Sequence, residues 1–200
     1  MLINPYYNDK IECGCDEAGR GPIAGSLFAS SVILPKDFAN EILNDSKKLT
    51  AKKRDMLRPL IMQEALAWAV SEVTHTEIDQ INILNSAFLG MSRAVEQLSL
   101  KPEIMLIDGN RFKTQLDIPY ECIVKGDGKV MCIAAASILA KCARDEQMIK
   151  LAEEYPEYGW ERNMGYPTKE HLAAIEKYGL TPYHRLTFGP CRAILEPTLF

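Results

Sequence analysis

Ten residues, Cys13 to Pro22 (Cys-Gly-Cys-Asp-Glu-Ala-Gly-Arg-Gly-Pro), constrain this chain more than any other stretch. An apolar strand beginning at Ile11 runs into two adjacent carboxylates, Asp16 and Glu17, then into a glycine-flanked arginine and a proline. Neighbouring side chains leave a strand on opposite sides, so both acids reach one ion only where the strand ends or bulges. Carboxylates at a strand tip suit divalent-cation chemistry. The glycines beyond them let the backbone approach a ligand and aim N–H groups at it. On these residues alone, a solvated turn stays open as the plainer alternative.

Four more runs read as strands: Ser26 to Leu34, Leu66 to Val73, Ile104 to Ile107 and Tyr120 to Val124. Helices are expected over Ala51 to Glu64, with Thr50 as N-cap and Pro59 as a kink or break, and over Ile83 to Leu98, after a short turn capped by Thr76. A long helix follows from Lys129 to Glu154, and another from Lys169 to Tyr178, capped by Thr168 and stopped by Gly179. Glu157 to Tyr166 reads as irregular loop, and the tail as one further helical turn. Three strands, then helix, strand, strand and helix describe an α/β fold with a mixed sheet flanked by helices. Two hundred residues, 47% of them hydrophobic, suffice for one domain over 1–200, with about 156–200 forming a C-terminal extension.

Several function classes fall away. Met1 to Lys10 has no basic start leading into an apolar run, and the longest nearly apolar stretch, Cys132 to Ala140, is too short to span a bilayer; a cytoplasmic protein is expected. The six cysteines form no CxxC pair, and His75, His171 and His184 have no HExxH spacing, so buried free thiols are expected rather than zinc. A net charge of −4 argues against a generic polyanion binder. Asp45 to Arg58 departs from that average, with six basic residues (Lys47, Lys48, Lys52, Lys53, Arg54, Arg58) against two acids. This is a solvated face or a phosphate-binding patch.

Asp108 follows the wholly apolar run Ile104–Ile107 and precedes Gly109, so it too is a carboxylate at a strand tip or a turn residue. It converges on Asp16 if the two strands are neighbours. On the long helix, Ser137, Lys141 and Asp145 are spaced by four and share a face, while Ile133, Ala136, Ala140 and Ala143 face the sheet.

Longer strings carry a resemblance. Asp-Glu-Ala-Gly-Arg-Gly-Pro after a strand, Ile-Ala-Ala-Ala-Ser-Ile-Leu-Ala-Lys-Cys-Ala-Arg-Asp from Ile133 to Asp145, Gly-Tyr-Pro-Thr-Lys-Glu-His from Gly165, and His-Arg-Leu-Thr-Phe-Gly-Pro from His184 resemble the motifs of ribonuclease HII, with Thr187 where serine is frequent. The resemblance implies a ribonuclease H-like fold of five strands, with the active site where the first and fourth lie side by side. It implies an endoribonuclease that cuts the RNA strand of RNA–DNA hybrids, and cuts 5′ of ribonucleotides embedded in duplex DNA. It assigns the metal set to Asp16, Glu17, Asp108 and Asp145, with Asp16 bridging two Mg²⁺ or Mn²⁺ ions, and expects a coupled, raised titration among those acids. Gly19, Arg20 and Gly21 are expected to read the 2′-hydroxyl and Tyr166 to pack on the adjoining sugar. Ser46, Lys47 and Lys48 are expected to touch phosphates. A non-catalytic nucleic-acid module and a small-substrate phosphatase are the competing classes. The ending Leu199-Phe200 also resembles a sliding-clamp peptide.

Overall fold

The computed structural model describes residues 2–44, 46 and 49–196, so Lys47, Lys48, Leu199 and Phe200 lie outside the described residues. Five strands, β1 (Glu12–Ala18), β2 (Leu27–Ile33), β3 (Ala67–Val73), β4 (Ile104–Asp108) and β5 (Tyr120–Ile123), form one sheet in the order β3-β2-β1-β4-β5. β1 and β3 each pair antiparallel with β2, while β4 pairs parallel with β1 and β5. β1 is therefore central and flanked by β4, the arrangement the ribonuclease HII resemblance implies.

Helices α1 (Ala51–Glu64) and α3 (Met131–Glu154) pack on one face with Val32, Ile104 and Leu106, and α2 (His75–Glu96) covers the other with Cys13, Cys15, Leu27 and Ile107. The alternation in β1 thus sends Cys13 and Cys15 towards α2, and Gly14 and Asp16 towards α3. Gly14 has a packing reason. A Cβ there would lie 2.2 Å from the backbone of Cys132, so only glycine lets the start of α3 come this close. The alanine run of α3 completes the approach: Ala134, Ala135, Ala136 and Ala140 are fully buried.

Past α3, α4 (Trp160–Asn163), α5 (Lys169–Tyr178) and α6 (Gly189–Leu195) build a third core. Trp160, Ile175 and Cys191 pack there with Met148 of α3 and with Ile23 and Ala24 of the β1–β2 connection. The C-terminal helices therefore buttress the loop that follows the Asp16–Glu17 pair.

Local departures from expectation have physical causes. Pro59 sits inside an unbroken α1 at an exposed position, where the hydrogen bond its ring forgoes leaves no buried carbonyl to satisfy. The N-cap of α2 is Thr74 rather than Thr76: its hydroxyl accepts from the Glu77 amide (3.3 Å) while the Glu77 carboxylate accepts from the Thr74 amide (2.9 Å), a reciprocal capping box. Asn82 breaks α2 at φ 66° and caps its second half by accepting from the amides of Leu84 and Asn85. Pro156–Tyr158 and α4 give the expected irregular loop helical turns.

Candidate metal centre and nucleic-acid cleft

β1 and β4 run parallel with Gly14 opposite Leu106 and Cys15 opposite Ile107, so the next step brings Asp16 beside Asp108 on the α3 face. β1 does not end or bulge at the acids. It stays in register with β2 through Asp16, Glu17 and Ala18, which sends Glu17 to the opposite face from Asp16. Glu17 nonetheless borders the same cleft as Asp108, and its carboxylate accepts from the Arg20 guanidinium (3.4 Å).

The third carboxylate beside Asp16 and Asp108 is Asp127. One oxygen from each of the three lies within 4.8 Å of the others. Asp127 arrives on the 3₁₀ turn Gly126–Gly128 after β5, and the Gly126 amide (2.7 Å) and Asp127 amide (3.4 Å) both donate to Asp108 Oδ1. The turn is thereby tied to the tip of β4. Lys125 enters it with φ 57°, in the left-handed region.

Asp145 does not join this group, contrary to the assignment that the motif resemblance made. Its carboxylate is taken by two cations: Arg54 Nη2 donates to Oδ2 at 3.2 Å, and Lys141, one turn earlier on α3, pairs with Oδ1. The i,i+4 spacing that puts Asp145 on the cleft-facing side of α3 also hands it the Lys141 ammonium.

Whether the acidic group fits a divalent cation can be judged at Asp16. It is only 3% exposed. Oδ1 accepts from the Glu17 amide (2.7 Å), but Oδ2 is buried with no hydrogen-bond partner among the described residues. Burial first, then the charges of Glu17 and Asp108, push the Asp16 carboxyl well above its ordinary range, against weaker opposite pulls from the Ser137 hydroxyl and the Glu17 amide. An orphaned buried carboxylate oxygen among like charges is what a hard cation with oxygen ligands relieves. The donor set fits.

Beside the acids opens a cleft of about 330 Å³, bordered by Glu17, Gly19 to Gly21, Ser46, Asp108, Ser137, Lys141, Arg144 and Tyr166. Gly19 has φ 108°, and a Cβ on it would meet the Arg144 side chain at 2.4 Å. A Cβ on Gly21 would come within 3.0 Å of the Tyr166 ring. Glycine at both positions keeps the backbone thin and its polar groups accessible. Ser46 reaches the cleft floor, its hydroxyl 2.8 Å from that of Ser137.

A model of the family described as ribonuclease HII matches residues 13–191. The chain belongs to the ribonuclease HII family. The ribonuclease HII of Bacteroides thetaiotaomicron is 62% identical over 189 residues, covering 94% of each chain. Among solved structures, ribonuclease H2 from Pyrococcus horikoshii superposes with a TM-score of 0.77 at 27% identity, covering 92% of this chain and 96% of that one. Bst-RNase HIII in complex with Mn²⁺ superposes with a TM-score of 0.72 at 19% identity over 92% of this chain and 68% of that one, a likeness of fold.

This ribonuclease HII family member also uses residues that the motif reading left without a role. Arg144 and Arg185 are almost fully buried and solvate themselves on backbone carbonyls. Arg144 donates to Ala24 (3.3 Å) and Met164 (2.9 Å); Arg185 donates to Gly25 (2.9 Å), Pro22 (2.8 Å) and Ser26 (3.2 Å). Burial holds both guanidinium groups below their usual range, Arg144 at about 10 and Arg185 at about 9. Between them they shape the whole Gly19–Ser26 loop. Tyr166 is anchored separately, its backbone carbonyl bonded to His171 Nδ1 (2.9 Å). A carbonyl only accepts and an indole N–H only donates. His171 therefore carries its proton on Nδ1, and its Nε2 accepts from Trp160 (3.0 Å) and from His184 (3.1 Å). Asp127 was legible only as a turn residue in Lys-Gly-Asp-Gly. The signal that could have found it is its place directly after the strand that pairs with the Asp108 strand.

Proposed function

We propose that the chain is a metal-dependent endoribonuclease that hydrolyses the RNA strand of RNA–DNA hybrids and cuts 5′ of ribonucleotides embedded in duplex DNA, leaving a 3′-hydroxyl and a 5′-phosphate. The observation that carries this reading is the meeting of Asp16, Asp108 and Asp127 at the end of β1 and β4, beside a cleft walled by Gly19, Gly21 and Tyr166. Oxygen-only donors at this spacing suit Mg²⁺ or Mn²⁺. Two such ions, when bound, activate the attacking water and stabilise the departing 3′ oxygen.

Asp16 would be the ligand shared between the ions, whose charge would offset the burial and like charges that raise its carboxyl. Asp108 and Asp127 flank it, and Glu17 contributes from the other face of β1. The backbone of Gly19, Arg20 and Gly21 contacts the 2′-hydroxyl, the one group that separates RNA from DNA at a nucleotide. Tyr166, exposed at the cleft mouth, packs against the adjoining deoxyribose and disfavours a ribose there. Ser46, Lys47 and Lys48 contact phosphates, which makes affinity salt-dependent despite the acidic average. Among the described residues no helix is long and apolar enough to cross a membrane, and the six thiols are free. We place the enzyme in the cytoplasm, with residues 156–196 acting as part of one catalytic domain.

The test is to map the cut on a duplex carrying a single ribonucleotide, with Mg²⁺ and with Mn²⁺, beside a nucleotide monophosphate. A single cut 5′ of the ribonucleotide is expected. Release of inorganic phosphate without strand cleavage would replace this reading with a phosphatase.

A further inference from the structure

We infer that Asp145 is a positioning residue: it anchors Arg54, and through Arg54 the segment that carries Ser46, against the cleft. The inference rests on the nuclease reading for its effect on substrate, but its geometry stands alone. The Arg54 guanidinium is shared three ways. Nη1 donates to the carbonyls of Ser46 (3.1 Å) and Leu49 (2.7 Å), and Nη2 donates to Asp145 (3.2 Å). The ion pair is largely buried, the two side chains being 12% and 17% exposed. Ser46 itself is buried and meets Ser137 on the same face of α3 that carries Lys141 and Asp145.

Ser46 and Leu49 both lie outside any helix or strand, so their backbone carbonyls need other donors. A planar guanidinium with donors on both edges serves two carbonyls and one carboxylate at once; an ammonium, with its point charge, does not reproduce that fork. Asp145 fixes which way the fork faces. Lys141, paired to the other oxygen of Asp145, is held along the cleft wall by the same carboxylate. Asp145 thus couples α1 and the Ser46 segment to α3, and sets the spacing between Ser46, Ser137 and Lys141 where a phosphate of the bound strand would pass. Its carboxylate is neutralised by protein cations, which leaves it unsuited to a metal.

Asp145→Asn, Arg54→Lys and Arg54→Ala test this with two independent readouts. Amide exchange at Ser46 and Leu49 reads the anchor whether or not a duplex is the substrate. It is expected to quicken on the order of tenfold in Asp145→Asn and Arg54→Ala, as loss of a charge-assisted hydrogen bond implies, and to quicken less in Arg54→Lys. Unchanged exchange would overturn the inference. In cleavage of the single-ribonucleotide duplex, Asp145→Asn is expected to raise KM about tenfold while kcat falls less than about threefold. The double variant should be no worse than Arg54→Ala alone. A collapse of kcat at unchanged KM would instead make Asp145 a metal ligand and overturn its positioning role. A wild-type enzyme inert on every duplex would end the nuclease reading, and the exchange result would still decide the anchor.

Discussion

Asp16 and Asp145 are both acids on the same side of the sheet, and their surroundings are opposite. Asp16 is enclosed among other carboxylates, with one oxygen lacking any partner among the described residues. Asp145 lies between Arg54 and Lys141, its charge already balanced. A carboxylate becomes available to a metal when the protein leaves its charge uncompensated, and a structural anchor when the protein supplies the cation. Sequence spacing places an acid on a face. Only the long-range neighbours decide which of the two it becomes.

The largest expected effect breaks the comparison at Asp16. Asp16→Asn should lower kcat at least about 10³-fold, the scale of losing metal-supplied charge stabilisation, while duplex affinity changes little. Single-turnover cleavage beside a binding titration checks it; near-normal turnover would remove Asp16 from the chemistry. Asp127→Asn should follow with a loss of about 10²-fold, because it removes one of the four proposed ligands and leaves the tie between Gly126 and Asp108 in place. Asp145→Asn should cost much less turnover than either.

A third effect is thermodynamic. The raised Asp16 carboxyl means that the folded, metal-free protein holds a proton where the unfolded chain has lost it. That stabilising contribution is complete below the unfolded carboxylate range and is lost as pH rises through the folded value. A cation that replaces the proton should therefore raise the melting temperature more at pH 8 than at pH 6, which calorimetry with and without Mg²⁺ measures. Equal shifts at both pH values would contradict the crowded-acid description.

The smallest effect has the opposite sign and comes from the Tyr166 support. Burial lowers His171, and lowers His184 to about 4, so both rings fold neutral. The unfolded chain takes up protons below about 6.5 that the folded chain refuses, so stability is intact above that pH and declines as pH falls towards 4. Denaturant melts between pH 7 and pH 5 should show the decline, and His184→Gln should flatten it.

Much of this was legible in the residues. The apolar runs ending at Asp16 and Asp108 gave two strands whose tips carry acids, and Thr50, Thr168 and Gly179 marked helix ends that the structure keeps. The motif strings gave the fold through the family they resemble. What local pattern could not give was partnership across the chain. In sequence Asp127 looks like a plain acid in a glycine turn, while the motif resemblance gives Asp145, on its helix, to the metal set. Parallel pairing of β5 with β4 carries the first to the Asp108 tip, and Arg54, 91 residues away in sequence, claims the second. Arg144 and Arg185 were opaque for the same reason, since a buried arginine satisfied by distant carbonyls has no local signature.

The most direct test is Mn²⁺ binding measured by calorimetry on wild-type protein, Asp127→Asn and Asp145→Asn without any nucleic acid. Asp127→Asn is expected to weaken binding about tenfold or more, and Asp145→Asn to bind as wild type does. The reverse pattern, binding lost with Asp145 and kept without Asp127, would contradict the assignment of the metal centre.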